Sequence, residues 1–264
     1  MNVAPQLLVF TDLDGTLIAH ESYSWAAASP ALTALKNIGA GIILASSKTA
    51  AEMIVLRDEL GLNDWPMIVE NGAGVLPPGS REMPGRESYH ALRDILAQIA
   101  PELRKYFLGF GDMDTAQVMA QTGLSRGSAL LAKERAFSEP GIWSGSDQER
   151  DAFFALLAEH GIFAREGGRF LTLSYGKTKA DQMAAIIAQI GPKITVALGD
   201  APNDIEMLDA ADYGVIVANP NRSPLPRQPN EATGRITRTE ASGPAGWNSA
   251  IQALILRLNL DKGL

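Results

Sequence analysis

Leu7-Leu8-Val9-Phe10-Thr11-Asp12-Leu13-Asp14-Gly15-Thr16 is the most informative stretch of this chain. Its first four residues are bulky and apolar without alternation, as in a short parallel strand buried on both faces. The two aspartates are two residues apart, so on extended backbone their side chains point the same way. Both carboxylates then face one point beyond the carboxyl end of the strand, the edge where open α/β sheets bind ligands. Carboxylates crowded together repel unless a cation sits between them, and their hard oxygens suit Mg2+. Gly15 permits a tight turn away from the sheet. Asp-Gly also makes ordinary turns, so the pair alone leaves open a turn in which Asp14 is only a cap.

Outward from this strand the α/β rhythm continues. Ser29-Pro30 offers an N-cap and a first-position proline, with Leu32, Leu35 and Ile38 at helical spacing and Gly39 as the stop. Ile42–Ala45 reads as a second buried strand. Thr49 and Glu52 match a capping box, opening a helix with Met53, Leu56 and Leu60 on one face and Gly61 at its close. Met67–Val69 reads as a third strand. Strand, helix, strand, helix, strand predicts a doubly wound, Rossmann-like parallel sheet.

The rhythm breaks after Pro77-Pro78-Gly79 and resumes with a helix carrying Met183, Ile186, Ile187 and Ile190. The strand Ile194–Leu198, a helix with Ile205 and Leu208, and the strand Tyr213–Val217 follow. Residues 223–246 should be mostly loop with one edge strand at most. Trp247, Ile251, Leu254 and Leu258 mark a C-terminal amphipathic helix. The expected organisation is a core formed by 1–83 and 173–264, interrupted by an inserted α+β domain at 84–172. Within the insertion, Tyr106–Phe110, Gly141–Trp143 and Ile162–Arg165 read as extended.

Composition bounds the function. The chain has 264 residues, 46% of them hydrophobic and 20% charged, so general disorder, collagen and coiled coil are excluded. Its net charge of −7 with no long basic run argues against nucleic acid or an anionic membrane as the main partner. The absence of cysteine removes disulfides, thiolate metal sites and thiol nucleophiles. With no basic leader at the N-terminus and no apolar stretch of membrane-spanning length, a soluble cytoplasmic protein, monomeric or homodimeric, is expected.

A second acidic cluster, Gly199-Asp200-Ala201-Pro202-Asn203-Asp204, directly follows another apolar strand. Asp200 at the strand end can reach a metal. Asn203 and Asp204 sit at the start of the next helix, where an acidic group also favours the helix dipole. Ser46-Ser47 ends the second strand on the same sheet edge, and Ser47 there suits a helix cap. Lys177 and Lys179 precede the helix of Met183. The histidines, His20, His90 and His160, stand in no catalytic context.

In order, Asp12-x-Asp14-x-Thr16, Ser46, a lysine and Gly199-Asp200-x-x-Asn203-Asp204 resemble the four motifs of the haloacid dehalogenase superfamily. The long insertion between serine and lysine resembles its subgroup with a sheet-containing cap. Ser46-Ser47-Lys48-Thr49, Glu70-Asn71-Gly72-Ala73, Thr122-Gly123-Leu124 and Gly168-Arg169-Phe170 add a resemblance to the mannosyl-3-phosphoglycerate phosphatase family over nearly the whole chain. The resemblance implies Asp12 as nucleophile and Asp14 as general acid and base. Ser46 and the lysine would hold phosphoryl oxygens. Mg2+ would bind Asp12, the Asp14 carbonyl and Asp200, supported by Asn203 and Asp204. The substrate would be a small phosphorylated sugar. A different sugar phosphate, such as glucosyl-3-phosphoglycerate, and a phosphomutase of the same superfamily stay open.

The family often has Asp-Lys-Gly before the helix, whereas this chain has Gly176-Lys177-Thr178-Lys179-Ala180. Counted from Lys179, Met183, Ile186 and Ile187 fall on one helical face, which favours Lys179 with Lys177 in reserve. A phosphoaspartate receiver module would be about half this length, and a transport ATPase core would place threonine where Asp14 stands. Arg169 is the candidate for a substrate carboxylate, because a planar guanidinium binds one in bidentate fashion. Arg165 and Arg126 rank behind it, and a solvated surface charge is the alternative for all three.

Overall fold

The structure is a computed structural model and describes residues 4–167 and 170–260. The chain begins with β1 (Leu7–Thr11), α1 (Ser29–Asn37), β2 (Gly41–Leu44), α2 (Ala50–Leu60), β3 (Met67–Val69) and β4 (Gly74–Leu76). Then come α3 (Glu87–Gln98), α4 (Pro101–Arg104), β5 (Phe107–Gly109), α5 (Thr115–Thr122), α6 (Arg126–Ala132), β6 (Ser138–Trp143) and α7 (Asp147–Glu159). After β7 (Phe163–Gly167) and β8 (Phe170–Ser174) follow α8 (Lys179–Ile190), β9 (Ile194–Gly199), α9 (Ile205–Ala210), β10 (Tyr213–Ala218), β11 (Ile236–Ser242) and α10 (Gly243–Arg257). No helix among the described residues is long and apolar enough to cross a membrane.

These elements form two compact units, one of Met1–Ser46, Asp64–Pro66 and Lys179–Leu264, the other of Ser47–Asn63 and Met67–Thr178. The first is built on a five-stranded sheet in the order β11-β10-β9-β1-β2, every pairing parallel. That is the doubly wound α/β architecture expected from the sequence. Every residue of β1 and β2 is buried, as continuous apolar runs require when both faces are covered. The edge strand in the proline-rich stretch is β11, laid parallel on β10. Helix α8 buries Met183 and Ile186, the face counted from Lys179.

Helix α10 starts at Gly243, earlier than its apolar spacing announced, with Gly243 left-handed at φ 54°. Trp247 is wholly buried and its indole Nε1 donates to Thr11 Oγ1 at 3.0 Å. Thr11 Oγ1 in turn donates to the Asp12 carbonyl at 2.7 Å. The C-terminal helix therefore braces the end of β1 where the aspartates begin.

In the second unit, β3 pairs antiparallel with β4 and does not become a further strand of the parallel sheet. The cause is local. Glu70, Asn71 and Gly72 all have left-handed φ, 51°, 59° and 94°, and reverse the chain immediately. The buried Glu70 carboxylate fixes the reversal, accepting from the backbone amides of Ala136, Phe137 and Ser138 and from Ser138 Oγ. Thr49, with Glu52, forms the capping box of α2, so Thr49 and not Ser47 is the cap. On α2, Met53 and Arg57 are buried while Leu56 and Leu60 are only half-buried. Arg57 survives burial by donating to the carbonyls of Pro77 and Ser80.

The same unit holds an antiparallel sheet in the order β5-β6-β8-β7. Leu92 and Leu96 of α3 and Phe153 and Leu157 of α7 pack with Phe107, Leu171 and Leu173 of the sheet. The domain expected at 84–172 lies within this unit, and its limits remain our proposal.

Trp247→Ala should cost about 3–5 kcal/mol of stability through the cavity it leaves. Trp247→Phe keeps a ring and loses the indole donor, and should cost less, roughly 1–3 kcal/mol. Urea unfolding followed by circular dichroism checks both, and an unmoved midpoint for Trp247→Ala would show that α10 does not support β1.

Candidate active site

Because the sheet is parallel, β1, β2, β9 and β10 all deliver their next residues to one edge. Those residues include Asp12, Ser46, Asp200 and Asn219. Thr11 pairs with Leu198, and the Asp12 amide donates to the Leu198 carbonyl at 2.9 Å, so Asp12 and Asp200 leave neighbouring strands side by side. The chain then turns through Gly15, whose φ of 83° suits glycine. The Gly15 amide donates to the Ile18 carbonyl, and the Thr16 and Ile18 amides to Leu13, leaving Asp14 half-buried in the turn.

Lys179 opens α8 and is 1% exposed. Its Nζ donates to Asp12 Oδ1 at 2.6 Å and to Asp204 Oδ1 at 2.7 Å. Asp204 Oδ2 accepts from the amides of Asp200 and Ala201 at 3.1 and 3.0 Å. Both Asp204 oxygens are thus engaged, and the residue orients its neighbours. Gly199 makes room for it, since a Cβ there would stand 2.4 Å from that of Asp204. Asn203, half-buried, shares with Asp204 the single 3-10 turn Pro202–Asp204 ahead of α9. Ser46 is fully buried just after β2, whereas Lys177 is exposed, so of the two lysines it is Lys179 that meets the aspartates.

Asp12, Asp200 and Asp204 are buried with one carboxylate oxygen of each within 4.8 Å of the others, a spacing that can hold a metal ion. Asp200 also has three partners that the sequence reading gave no role. Thr16 Oγ1 donates to Oδ1 at 3.1 Å, Asn219 Nδ2 to Oδ2 at 2.7 Å, and Arg222 Nε lies 3.3 Å from Oδ2. Asn219 was open to discovery, because it follows β10 as Asp200 follows β9. Arg169 lies outside the described residues, while Arg165 is exposed on β7 and Arg126 exposed at the start of α6.

The electrostatics follow from burying three carboxylates around one ammonium. Burial raises the Asp12 carboxyl well above its ordinary value; Lys179 opposes the shift, while Asp204 and Asp200 add to it. Burial and Asp204 likewise push up Asp200, against the pull of Asn219, Arg222 and Thr16. Burial alone would depress the Lys179 ammonium, but Asp12 and Asp204 outweigh it and hold its pKa above the ordinary lysine value. A divalent cation is the natural complement of the excess negative charge, and hard carboxylate oxygens suit Mg2+.

The raised carboxyls bind protons more tightly folded than unfolded. Their contribution to stability is full below the ordinary aspartate value of 3.8 and is lost as pH rises through the folded values. Asp12→Asn should therefore stabilise the protein in excess chelator at pH 7.5, by about 1 kcal/mol or ~2–4 °C. The gain should shrink as pH falls towards 4. Thermal unfolding of both proteins across pH checks this, and a substitution that lowers stability at neutral pH would show that the Lys179 contact outweighs the crowding.

The sequence profile of the haloacid dehalogenase-like hydrolases matches residues 9–108 and 147–225. Among solved structures, a Thermoplasma acidophilum protein superposes with a TM-score of 0.65 at 17% identity, covering 98% of this chain and 100% of its own. The sucrose-phosphatase of Synechocystis, solved with sucrose and phosphate, gives 0.62 at 16% identity, with 97% and 98% covered. A sugar phosphatase of haloacid dehalogenase subclass IIB gives 0.60 at 18%, with 96% and 99% covered. At such identities the likeness establishes the fold. The profile match spans more than half of the chain, which thus belongs to the haloacid dehalogenase-like hydrolases.

Proposed function

We propose that this chain is a Mg2+-dependent phosphatase acting on a phosphorylated sugar-glycerate, mannosyl-3-phosphoglycerate in the first place, and releasing mannosylglycerate and phosphate. The observation that carries the chemistry is Lys179 held between Asp12 and Asp204 at the carboxyl edge of the sheet. The substrate rests on the resemblance carried by the shorter motifs, Gly168-Arg169-Phe170 among them. Two of the fold relatives bear the names of sugar phosphatases, which agrees with this class.

In this reading an Asp12 carboxylate oxygen attacks phosphorus, forming an aspartyl-phosphate as the bond to the leaving oxygen breaks. Asp14 gives its proton to that oxygen. It then takes a proton from the water that attacks the intermediate, returning Asp12 and freeing phosphate. Lys179 holds Asp12 in line, and with Ser46 it takes phosphoryl oxygens. A Mg2+ on Asp12, the Asp14 carbonyl and Asp200 would supply the charge that lets an anionic nucleophile meet an anionic phosphate. Asp204 and Asn203 keep these groups in place.

A panel of phosphorylated sugars and phosphoglycerate glycosides, assayed for free phosphate with Mg2+ and with chelator, tests this directly. Phosphate release should require Mg2+ and be fastest with mannosyl-3-phosphoglycerate. Asp12→Asn should abolish turnover without unfolding the protein, and measurable residual activity would rule out covalent catalysis by Asp12.

Arg169→Ala should lower kcat/KM about tenfold to a hundredfold on the phosphoglycerate glycoside and leave a small aryl phosphate nearly unaffected. Equal losses on both substrates would remove Arg169 from carboxylate recognition.

A further inference from the structure

Both oxygens of the Asp200 carboxylate are gripped, and two of the three grips come from one turn. Asn219 and Arg222 leave the end of β10 together; the Arg222 amide donates to the Asn219 carbonyl, and Asn219 Oδ1 accepts from the Asn221 amide. This turn presents a neutral donor, Asn219 Nδ2, at 2.7 Å and a guanidinium, Arg222 Nε, at 3.3 Å to the same Oδ2. Asn219 is also wedged against the turn after Asp12 and Asp14: a Cβ on Gly15 would come within 2.4 Å of Asn219 Nδ2. The Asp200 side chain is 1% exposed and that of Arg222 34%, so the cation sits at the rim of a buried anion.

The two residues should act in opposite senses on a cation bound by Asp200. A neutral donor fixes the direction of a ligating carboxylate without opposing the metal charge, as outer partners of metal ligands do. A guanidinium on the same oxygen also repels any second cation brought to that carboxylate, weakened but not abolished by its partial exposure. We infer that Asn219 positions Asp200 for a divalent cation while the charge of Arg222 raises the concentration of cation needed to fill the site. The inference rests on the metal role proposed for Asp200.

Mg2+ titration of the chelator-treated protein by calorimetry at low salt reads this without reference to turnover. Arg222→Gln should bind Mg2+ about three- to tenfold more tightly than the wild type. Arg222→Lys, which keeps the charge, should stay within about twofold of it. Asn219→Ala should bind roughly tenfold more weakly. The gap between Arg222→Gln and the wild type should narrow in about 0.5 M salt, which screens charge and leaves packing alone. Unchanged or weaker binding by Arg222→Gln, or matching behaviour of the Gln and Lys variants, would overturn the inference while leaving the metal site intact. Wild-type affinity in Asp200→Asn would overturn the metal role itself and the inference with it. Melting temperatures of the Mg2+-free variants, within a few degrees of one another, would separate these effects from misfolding.

Discussion

A fully buried ammonium between two carboxylates is the constraint from which the site takes its shape. Lys179 lies 2.6 Å from Asp12 and 2.7 Å from Asp204, and no group so placed keeps its charge unless its partners are held nearly rigid. Holding them consumes much of the local sequence. Gly199 must lack a side chain so that Asp204 can approach. Asp204 must spend its second oxygen on the Asp200 and Ala201 amides. Lys179 must stand at the first residue of α8, where the buried face of Met183 and Ile186 sets its direction. The buried ammonium and the partly exposed Arg222 guanidinium are two positive charges against three carboxylates, and the remaining negative charge is what suits the site to a further cation.

The buried acids of the second unit make the contrast plain. Glu70 is as deeply buried as Asp204, yet it accepts from three backbone amides and one hydroxyl. Glu139 accepts from Tyr89 Oη, Arg93 Nη1 and the Gly111 amide. Both are provided with donors by their own unit, and both fix backbone: Glu70 the left-handed reversal after β3, Glu139 the turn after β5. Asp12 faces Lys179 on one oxygen and two like charges nearby, a pattern that packing does not call for and that supports the catalytic role proposed for it.

What the sequence disclosed follows the same division. Strands β1, β2, β9 and β10 were legible because parallel strands buried on both faces must be unbroken apolar runs. The site at their ends was legible because an aspartate directly after such a run has one sheet edge to occupy. Lys179 could be chosen over Lys177 by helical phase alone. The hidden parts depend on tertiary company. Asn71-Gly72 suits left-handed backbone and marks the stop of β3, but nothing announces that Glu70 joins them and sends the chain straight back antiparallel, which is why β3 read as one more parallel strand. Arg57, on the buried side of α2, is tolerable only because the carbonyls of Pro77 and Ser80 await it. Thr16 stood in the quoted motif without a task, since its partner, Asp200, lies on a distant part of the chain.

The acidity of the whole chain bears on its proposed substrate less than the number suggests. A net charge of −7 would oppose an anionic phosphoglycerate if it acted as one field. Salt screens exposed charges beyond ~8–10 Å, so the approach of an anion is decided by what lies close to its landing point. At the sheet edge, among the described residues, the cations paired with the aspartates are the buried Lys179 and the half-exposed Arg222. The polypeptide cations there are already matched by carboxylates. Under the metal role proposed for Asp200, an added divalent ion would turn the local sign positive, and the grip of Asn219 and Arg222 on that carboxylate would then bear directly on how the proposed anionic substrate is received.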